Sequence, residues 1–184
     1  KIQLTTGLTK LVRTRPVILI TTLHPDGTVN AGTFGAYTNL SPSHIGIAIG
    51  RQSHTFKNLH RTGELAINVL TREIASASEI CARNVPEQTS EVELAGLSLE
   101  QPQTISAPLV RECVANIECV VEKEVPVSSH TFVVVRCVAG RIEESCRDSD
   151  GGLDPVKAQV IFAVRYPDPL YAVLSPAFTV KTAS

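Results

Sequence analysis

The chain has 184 residues, of which 43% are hydrophobic and 19% are charged, a composition typical of a globular protein. This length predicts one domain over residues 1–184. The 17 Lys and Arg and 18 Asp and Glu residues leave a formal net charge of −1, which argues against a nucleic-acid-binding protein and against a polybasic membrane patch. Apolar runs such as 160–164 are far shorter than the roughly 20 residues of a membrane span, and residues 1–4 show no signal-peptide core.

The first part of the chain predicts three strands. Residues 17–23 follow Pro16 and are rich in β-branched side chains, and the Pro-Asp-Gly sequence at 25–27 is typical of a tight turn. A second extended segment over 29–38 would complete a hairpin. Residues 44–50 alternate isoleucine with glycine and alanine, which predicts a strand with one closely packed face.

A short helix should follow, capped at its start by Ser53 or Thr55 and at its end by Gly63. Beyond it the sequence predicts a strand over 65–70, a helix over 72–83 and a helical turn over 91–95 that Gly96 closes.

The second half predicts strands again, over 114–124, 131–142, 159–164 and 171–174, with a break at 166–169. Residues 133–135 are apolar on both faces of their strand, so a helix or another subunit should cover the outer face. Six or more antiparallel strands with a few short flanking helices predict a mainly β protein built as a Greek-key barrel, which leaves no exposed sheet edge.

The cysteines are odd in number and contain no C-x-x-C pair, so we expect neither a disulfide framework nor a zinc site. The histidines show no metal-ligand spacing, and no metal is expected. The sequence favours small buried side chains in a reducing compartment, the cytoplasm. The five residues are Cys81, Cys113, Cys119, Cys137 and Cys146.

A dense polar cluster surrounds the start of the first predicted helix. Free backbone N–H groups and the helix dipole make such an end a site for anions, and nearby cations would add charge-assisted hydrogen bonds to a phosphate. Ordinary helix capping is the alternative explanation, because Ser and Thr begin many helices. The cluster comprises Arg51, Ser53, His54, Thr55, Lys57 and Asn58.

A second feature is the small and polar segment 30–39. Gly32, Gly35 and Ala36 would let a flat ring approach the backbone, and Thr33 and Thr38 supply hydroxyl groups. A bulged strand at a barrel corner also favours glycine and is the alternative.

Taken together, these segments resemble the flavin reductase-like, FMN-binding split-barrel family, and within it the flavoredoxin-like branch. The resemblance covers most of the chain and rests on the order and spacing of many short motifs. They are Arg15-Pro16, His24-Pro25-Asp26-Gly27, Asn30-Ala31, Leu40-Ser41-Pro42, Ser53-His54-Thr55, Asn58-Leu59, Thr62-Gly63-Glu64, Asn68-Val69, Ala95-Gly96-Leu97, Ala107-Pro108-Leu109-Val110, Ile117-Glu118-Cys119, Ser129-His130-Thr131, Gly152-Leu153-Asp154-Pro155 and Tyr171-Ala172-Val173.

The resemblance implies a six-stranded antiparallel Greek-key split barrel that forms a homodimer, with FMN near the subunit interface. It implies that FMN phosphate is bound by Arg51, Ser53, His54, Thr55, Lys57 and Asn58, and the isoalloxazine edge by Thr33, Phe34, Gly35, Ala36, Tyr37 and Thr38. It places His130 near the flavin face as the catalytic residue that orients the nicotinamide, with a polar hairpin residue as the alternative. The chain departs from the family pattern at Gly35, where relatives often carry Ser, and at Val135-Arg136, where they often carry a Gly-containing run.

The function that the resemblance implies is an FMN-dependent oxidoreductase that moves hydride or electrons from NAD(P)H to a second acceptor. One alternative is an FMN-containing electron carrier that a protein partner reduces and that has no nicotinamide site. Another is a barrel that has lost its flavin site and serves only as a structural dimer.

Overall fold

Antiparallel strands form most of the computed structural model, which describes residues 2–12, 14–165 and 170–177. The strands are β1 (Arg15–Pro16), β2 (Ile18–Leu23), β3 (Val29–Phe34), β4 (Tyr37–Ser41), β5 (His44–Gly50), β6 (Glu64–Val69), β7 (Leu99–Glu100), β8 (Leu109–Val110), β9 (Ala115–Val127), β10 (His130–Ile142), β11 (Ile161–Arg165) and β12 (Leu170–Val173). The helices are α1 (His54–Thr62), α2 (Ala75–Cys81) and α3 (Glu91–Leu94), with 3-10 turns at Leu8–Val12, Arg72–Ile74 and Glu144–Cys146.

Seven strands form the main sheet, in the order β3-β2-β6-β9-β10-β5-β4. β3 and β4 lie at opposite edges of this sheet, although only Gly35 and Ala36 separate them in the chain. The two edges must therefore lie side by side, and the sheet curls into a barrel. The amide of Ala48 donates to the carbonyl of Ala36 at 2.8 Å and ties the connection to β5. The predicted mainly β barrel class is confirmed.

The prediction of one strand over 29–38 was wrong, because the chain bends at Gly35 and Ala36 and crosses from one sheet edge to the other. This bend also explains the strand count. Six strands were expected, and the sheet has seven because one long strand is divided in two.

The barrel interior is filled by alternate residues of its strands, among them Ile47, Ile67 and Val133. On the outer face of β5 the small residues admit bulky neighbours: a Cβ on Gly46 would lie 2.2 Å from the ring of Phe132. The predicted alternation of β5 is thus confirmed.

A second core lies outside the barrel, where α2 and α3 cover β2 and β3. Leu19 of β2 packs there with Val92 and Cys81, whereas Ile18 and Ile20 point into the barrel. β2 is therefore buried on both faces, which explains why it begins with three consecutive apolar residues, 18–20, and why Thr21 and Thr22 are buried as well.

The helix boundaries follow the predicted capping residues. The Ser53 side chain accepts a hydrogen bond from the amide of Phe56 at 3.1 Å, and Gly63 ends α1 in the left-handed region at φ 72°. The predicted helix over 72–83 is a 3-10 turn followed by α2, and α3 with Gly96 confirms the predicted turn over 91–95. The predicted break at 166–169 lies outside the described residues.

Glu118 of β9 ties the loop before β8 to the barrel. The loop folds over this residue and leaves it 3% exposed. Its carboxylate accepts hydrogen bonds from the amides of Gln103 and Thr104, both at 2.7 Å, and from the amide of Ile105 at 3.3 Å. Burial opposes ionisation, but these bonds outweigh it and lower the pKa of Glu118.

We expect Glu118→Gln to lower the free energy of unfolding by about 2–3 kcal/mol at neutral pH, because an amide nitrogen would then face N–H donors. The contribution of Glu118 is fully present above the unfolded-state pKa of about 4.3 and is lost as the pH falls through the lower folded-state pKa. Urea unfolding of both proteins at pH 7 and near pH 3 measures both effects.

Glu122→Gln is the matched control, because this exposed glutamate of the same strand forms, among the described residues, ion pairs with His44 and Arg136 alone. This substitution should lower the free energy of unfolding by less than about 1 kcal/mol. Equal losses of unfolding free energy in the two variants would contradict the role assigned to Glu118.

Candidate functional site

A cleft of about 760 Å³ opens where the β3–β4 connection meets β5 and β10. Its volume falls within the range of small-molecule sites, roughly 300–1,000 Å³. The small residues Gly35, Ala36, Ala48 and Gly50 line one side. Because these side chains are short, a flat ring can lie directly against the backbone. A Cβ on Gly35 would find its nearest neighbour only at 3.8 Å, so the cleft is open there.

His130 lies at the rim of this cleft. It begins β10 directly opposite Gly50, and its Nε2 is 3.9 Å from the position of a Cβ on that glycine. A tight turn precedes it, with Ser128 in the left-handed region at φ 54°. The Oγ of Ser129 lies 3.0 Å from His130 Nδ1 and orients the ring. The structure therefore brings His130 together with the predicted ring-binding segment, and the ring remains exposed.

The predicted residues 33–38 divide between the cleft and the rest of the barrel. Thr33, Phe34, Gly35 and Ala36 line the cleft, although the Thr33 hydroxyl already donates to the carbonyl of Ser78 at 2.6 Å.

The last two residues of the segment do not line the cleft, because β4 begins at Tyr37 and directs its side chains elsewhere. Tyr37 packs against the barrel core, where burial raises its pKa to about 12. Thr38 pairs with Gly46 at the edge of the sheet and is exposed.

The sequence analysis missed a polar wall of the cleft that comes from distant parts of the chain. The Tyr171 hydroxyl donates to the carboxylate of Glu79 and lies 2.7 Å from the Ser78 hydroxyl. Burial, then the bond to Glu79, raises the pKa of Tyr171. Arg15 and Arg165 also line the cleft. Arg15 and Tyr171 belong to short motifs of the family resemblance, but those motifs lie far apart in the chain, and no local signal placed them beside Glu79 in one cleft.

The α1 N-terminus begins four residues after Gly50. Ser53 caps the helix, and the first intrahelical hydrogen bond runs from the Lys57 amide to the Ser53 carbonyl at 3.2 Å. The amides of His54 and Thr55 precede that bond and have no partner within the helix. They are aligned with the positive end of the helix dipole, which favours an anion at this position.

Cationic side chains surround this helix end. The carboxylate of Glu87 lies 3.7 Å from Lys57 Nζ and 3.8 Å from His54 Nε2. The Arg51 guanidinium donates to the carbonyl of Ser128 in the turn before β10. Glu87 thus partly neutralises the positive field at the helix start, a feature that no sequence motif indicated.

The side chains of Thr55 and Asn58 face inward. Asn30 donates to Thr55 Oγ1 at 3.0 Å and to Thr22 Oγ1 at 2.9 Å, and Asn58 donates to the same Thr22 oxygen at 3.1 Å. These buried bonds hold α1 against β2 and β3. The Thr55 backbone, rather than its side chain, is what the helix end offers to a ligand.

His24 is buried beside this helix end, with its ring 5.1 Å from the ring of His54 in an edge-on arrangement. Among the described residues its Nε2 has no hydrogen-bond partner. Burial, and then repulsion from His54, lowers the pKa of His24, so it favours the neutral form.

Within residues 2–12, 14–165 and 170–177, no group of three His, Cys, Asp or Glu side chains could hold a metal ion. Over the same residues, no helix has the length and apolar character needed to cross a membrane.

The family model of the flavin reductase like domain matches residues 13–157. The chain belongs to this family. A protein of Halalkalibacterium halodurans named only as uncharacterized is 30% identical over 153 residues, which cover 76% of this chain and 73% of that protein. Membership of the family implies a flavin cofactor and an oxidoreductase class.

Solved structures show the same fold. Nitrilotriacetate monooxygenase component B from Bacillus cereus superposes with a TM-score of 0.86 at 24% identity, covering 97% of this chain and 95% of that one. Flavoredoxin from Methanosarcina acetivorans gives a TM-score of 0.84 at 19% identity, covering 98% and 94%. A split-barrel domain protein of Shewanella frigidimarina NCIMB 400 gives 0.87 at 21% identity, covering 98% and 94%. At these identities the likeness is one of fold.

Proposed function

We propose that residues 1–184 form a single FMN-binding domain that transfers electrons from NAD(P)H through FMN to a second acceptor. One observation carries the proposal: a cleft lined by small residues lies beside Gly50, and four residues later a helix begins whose first two amides have no partner within the helix. A ligand that fits both places has a flat ring at one end and an anion at the other.

FMN suits this pair of features because its ring is flat and its tail ends in a phosphate monoester. A monoester carries close to two negative charges at neutral pH. The donors beside α1 are suited to that charge: the amides of His54 and Thr55, and the side chains of Arg51 and Lys57. FMN is therefore the flavin we propose, rather than FAD.

Each part of the chain has a distinct task in this mechanism. Bound flavin supplies the redox chemistry by accepting and passing on electrons. The backbone at Gly35 and Ala36 would contact the ring edge, and the α1 amides would hold the phosphate. His130, exposed at the rim, orients the nicotinamide, which needs no separate dinucleotide-binding motif. A cytoplasmic location of the protein suits NAD(P)H as the electron donor.

We expect the purified chain to bind FMN, quenching its fluorescence, and to oxidise NADH or NADPH when FMN and an acceptor are present. His130→Ala should lower kcat/KM for the nicotinamide by about tenfold with little change in the Kd for FMN, since His130 faces the second substrate. His60→Ala is the control, because His60 lies at the other end of α1.

The outcomes separate the candidate functions. FMN binding without NAD(P)H turnover, but with reduction by a reduced ferredoxin-type protein, would replace the enzyme with an electron carrier. Absence of FMN binding at micromolar protein would reject both the enzyme and the electron carrier. It would leave a structural barrel without a flavin site.

Glu87 provides a test of the phosphate position. Glu87→Gln removes the carboxylate near Lys57 and His54, so FMN should bind about fivefold more tightly at low salt. Glu124→Gln is the matched control, since that carboxylate lies 3.0 Å from His60 at the far end of the same helix. Fluorescence titration gives both dissociation constants, and an equal effect of the two variants would place the phosphate elsewhere.

We also propose that the chain forms a homodimer through the outer face of β10. Phe132 and Val134 lie on that face, half-buried, and the β9 residues Val125, opposite Phe132, and Val127 are 38% and 55% exposed. Lys123 pairs with Val134 and His130 pairs with Val127, so these side chains form an apolar patch with a polar rim, which is typical of a surface that a partner covers.

Sedimentation of the wild-type chain should therefore give twice the mass of one chain, and Val127→Lys should shift the protein toward the monomer. Leu94→Lys is the control, because Leu94 is 52% exposed on α3, away from β10. A wild-type monomer at micromolar concentration would refute the proposed interface.

A further inference from the structure

Two cysteines face each other across β9 and β10. Cys119 pairs in register with Cys137, so both side chains lie on the same face of the sheet. That face is the barrel interior: Cys119 belongs to the core cluster and Cys137 packs against it. Adjacent strands thus bring together two thiols that are separated by eighteen positions in the sequence.

The ladder places the two cysteines in a non-hydrogen-bonded pair. The Cys137 amide donates to Ser43 on the β5 side at 2.8 Å, and the Val121 amide donates to Gly63 on the β6 side at 2.8 Å. Cys119 lies two residues before Val121 and shares its orientation. In such a pair the Cα atoms are about 4.5 Å apart, within the range of about 4.4–6.8 Å that a disulfide spans.

The two thiols differ in access to solvent. Cys119 is completely buried, whereas Cys137 lines a cleft of about 490 Å³ at the end of the barrel, beside Pro42 and His44. This cleft lies at the opposite end of β10 from His130 and shares no lining residue with the candidate flavin site. A small reagent in solution reaches Cys137 first.

The thiols also differ in acidity. The adjacent Cys119 thiol lowers the pKa of Cys137 to about 7; burial opposes the shift and His44 supports it. The proximity of Cys137, followed by burial, raises the pKa of Cys119, whose Sγ also donates to the carbonyl of Ile117 at 3.9 Å. Cys137 is therefore the more readily ionised thiol of the pair near neutral pH, and Cys119 remains protonated.

We infer that Cys119 and Cys137 form a redox-active dithiol that a peroxide converts to a cross-strand disulfide. The Cys137 thiolate attacks one peroxide oxygen and breaks the O–O bond, giving a sulfenic acid and, after protonation, the alcohol or water. The Cys119 sulfur then attacks the Cys137 sulfur, its proton leaves with the departing hydroxyl as water, and the S–S bond forms. The two sulfurs lose the two electrons that the peroxide gains.

The remaining cysteines are suited to be internal references. Burial raises the pKa of Cys81 to about 12 and also raises that of Cys113, and both lie in the second core outside the barrel. Cys146 is half-buried in a 3-10 turn and reports nonspecific oxidation. The sequence had predicted small buried hydrophobic side chains for most of the five cysteines.

The experiment treats the full-length, reduced protein with equimolar hydrogen peroxide, followed by alkylation and peptide mass spectrometry. The expected product has lost two hydrogens, contains a peptide cross-linked between Cys119 and Cys137, and recovers both thiols with a small dithiol reductant. Alkylation of Cys137 in the reduced protein should rise about tenfold per pH unit below pH 7 and level off above it.

Variants assign the order of the steps. Cys137→Ser should lower peroxide consumption by about tenfold, and Cys119→Ala should leave a Cys137 sulfenic acid that dimedone traps. Cys146→Ser is the matched control. It should change neither the peroxide consumption nor the amount of sulfenic acid that dimedone traps. Near-ultraviolet circular dichroism checks folding, and the wild-type measurements decide the question if a variant fails to fold.

Several outcomes would overturn the inference: oxidation of Cys137 to the sulfinic acid without a cross-link, oxidation of Cys146 at the same rate, or a cross-link only between separate chains. None of these outcomes bears on FMN binding, which is assayed independently.

Discussion

The bend at Gly35 and Ala36 is the constraint on which the rest of this structure depends. It sends β3 and β4 to opposite edges of one sheet, and two residues are too short a connection for those edges to lie apart. The sheet must therefore close. The same two residues, having almost no side chain, line the cleft that the closure creates. The two small residues Gly35 and Ala36 thus determine both the closure of the barrel and the shape of the cleft.

Helix α1, the second element of the site, is held in place by hydrogen bonds on the side that faces the barrel. Asn30, Thr22 and Asn58 form a buried chain of hydrogen bonds that anchors α1 to the barrel wall, with Thr55 at one end. Buried polar groups that are fully satisfied fix one arrangement strongly, because any shift would leave a donor or acceptor without a partner. The amides at the start of α1 consequently point in a defined direction before any ligand arrives.

Local signals in the sequence predicted most of the architecture and part of the site. Strand alternation in β5, the caps Ser53 and Gly63, and the turn at Gly96 each depend on neighbouring residues, and each was confirmed. The bend at Gly35 was missed because glycine suits both a bulged strand and a chain reversal, and only long-range pairing distinguishes them. Glu87, Tyr171 and the Cys119–Cys137 pair were missed because tertiary folding alone brings them to their partners.

The ion pairs around Glu87 have a consequence for how the protein handles its ligand. Glu87 offsets part of the positive charge beside the start of α1, since it lies within 3.8 Å of both Lys57 and His54. An anion that binds at this helix end therefore competes with a carboxylate that the chain itself supplies. Lys57 and His54 take no part in the hydrogen bonds that anchor α1 to β2 and β3, so this exchange leaves the anchoring of the helix unchanged.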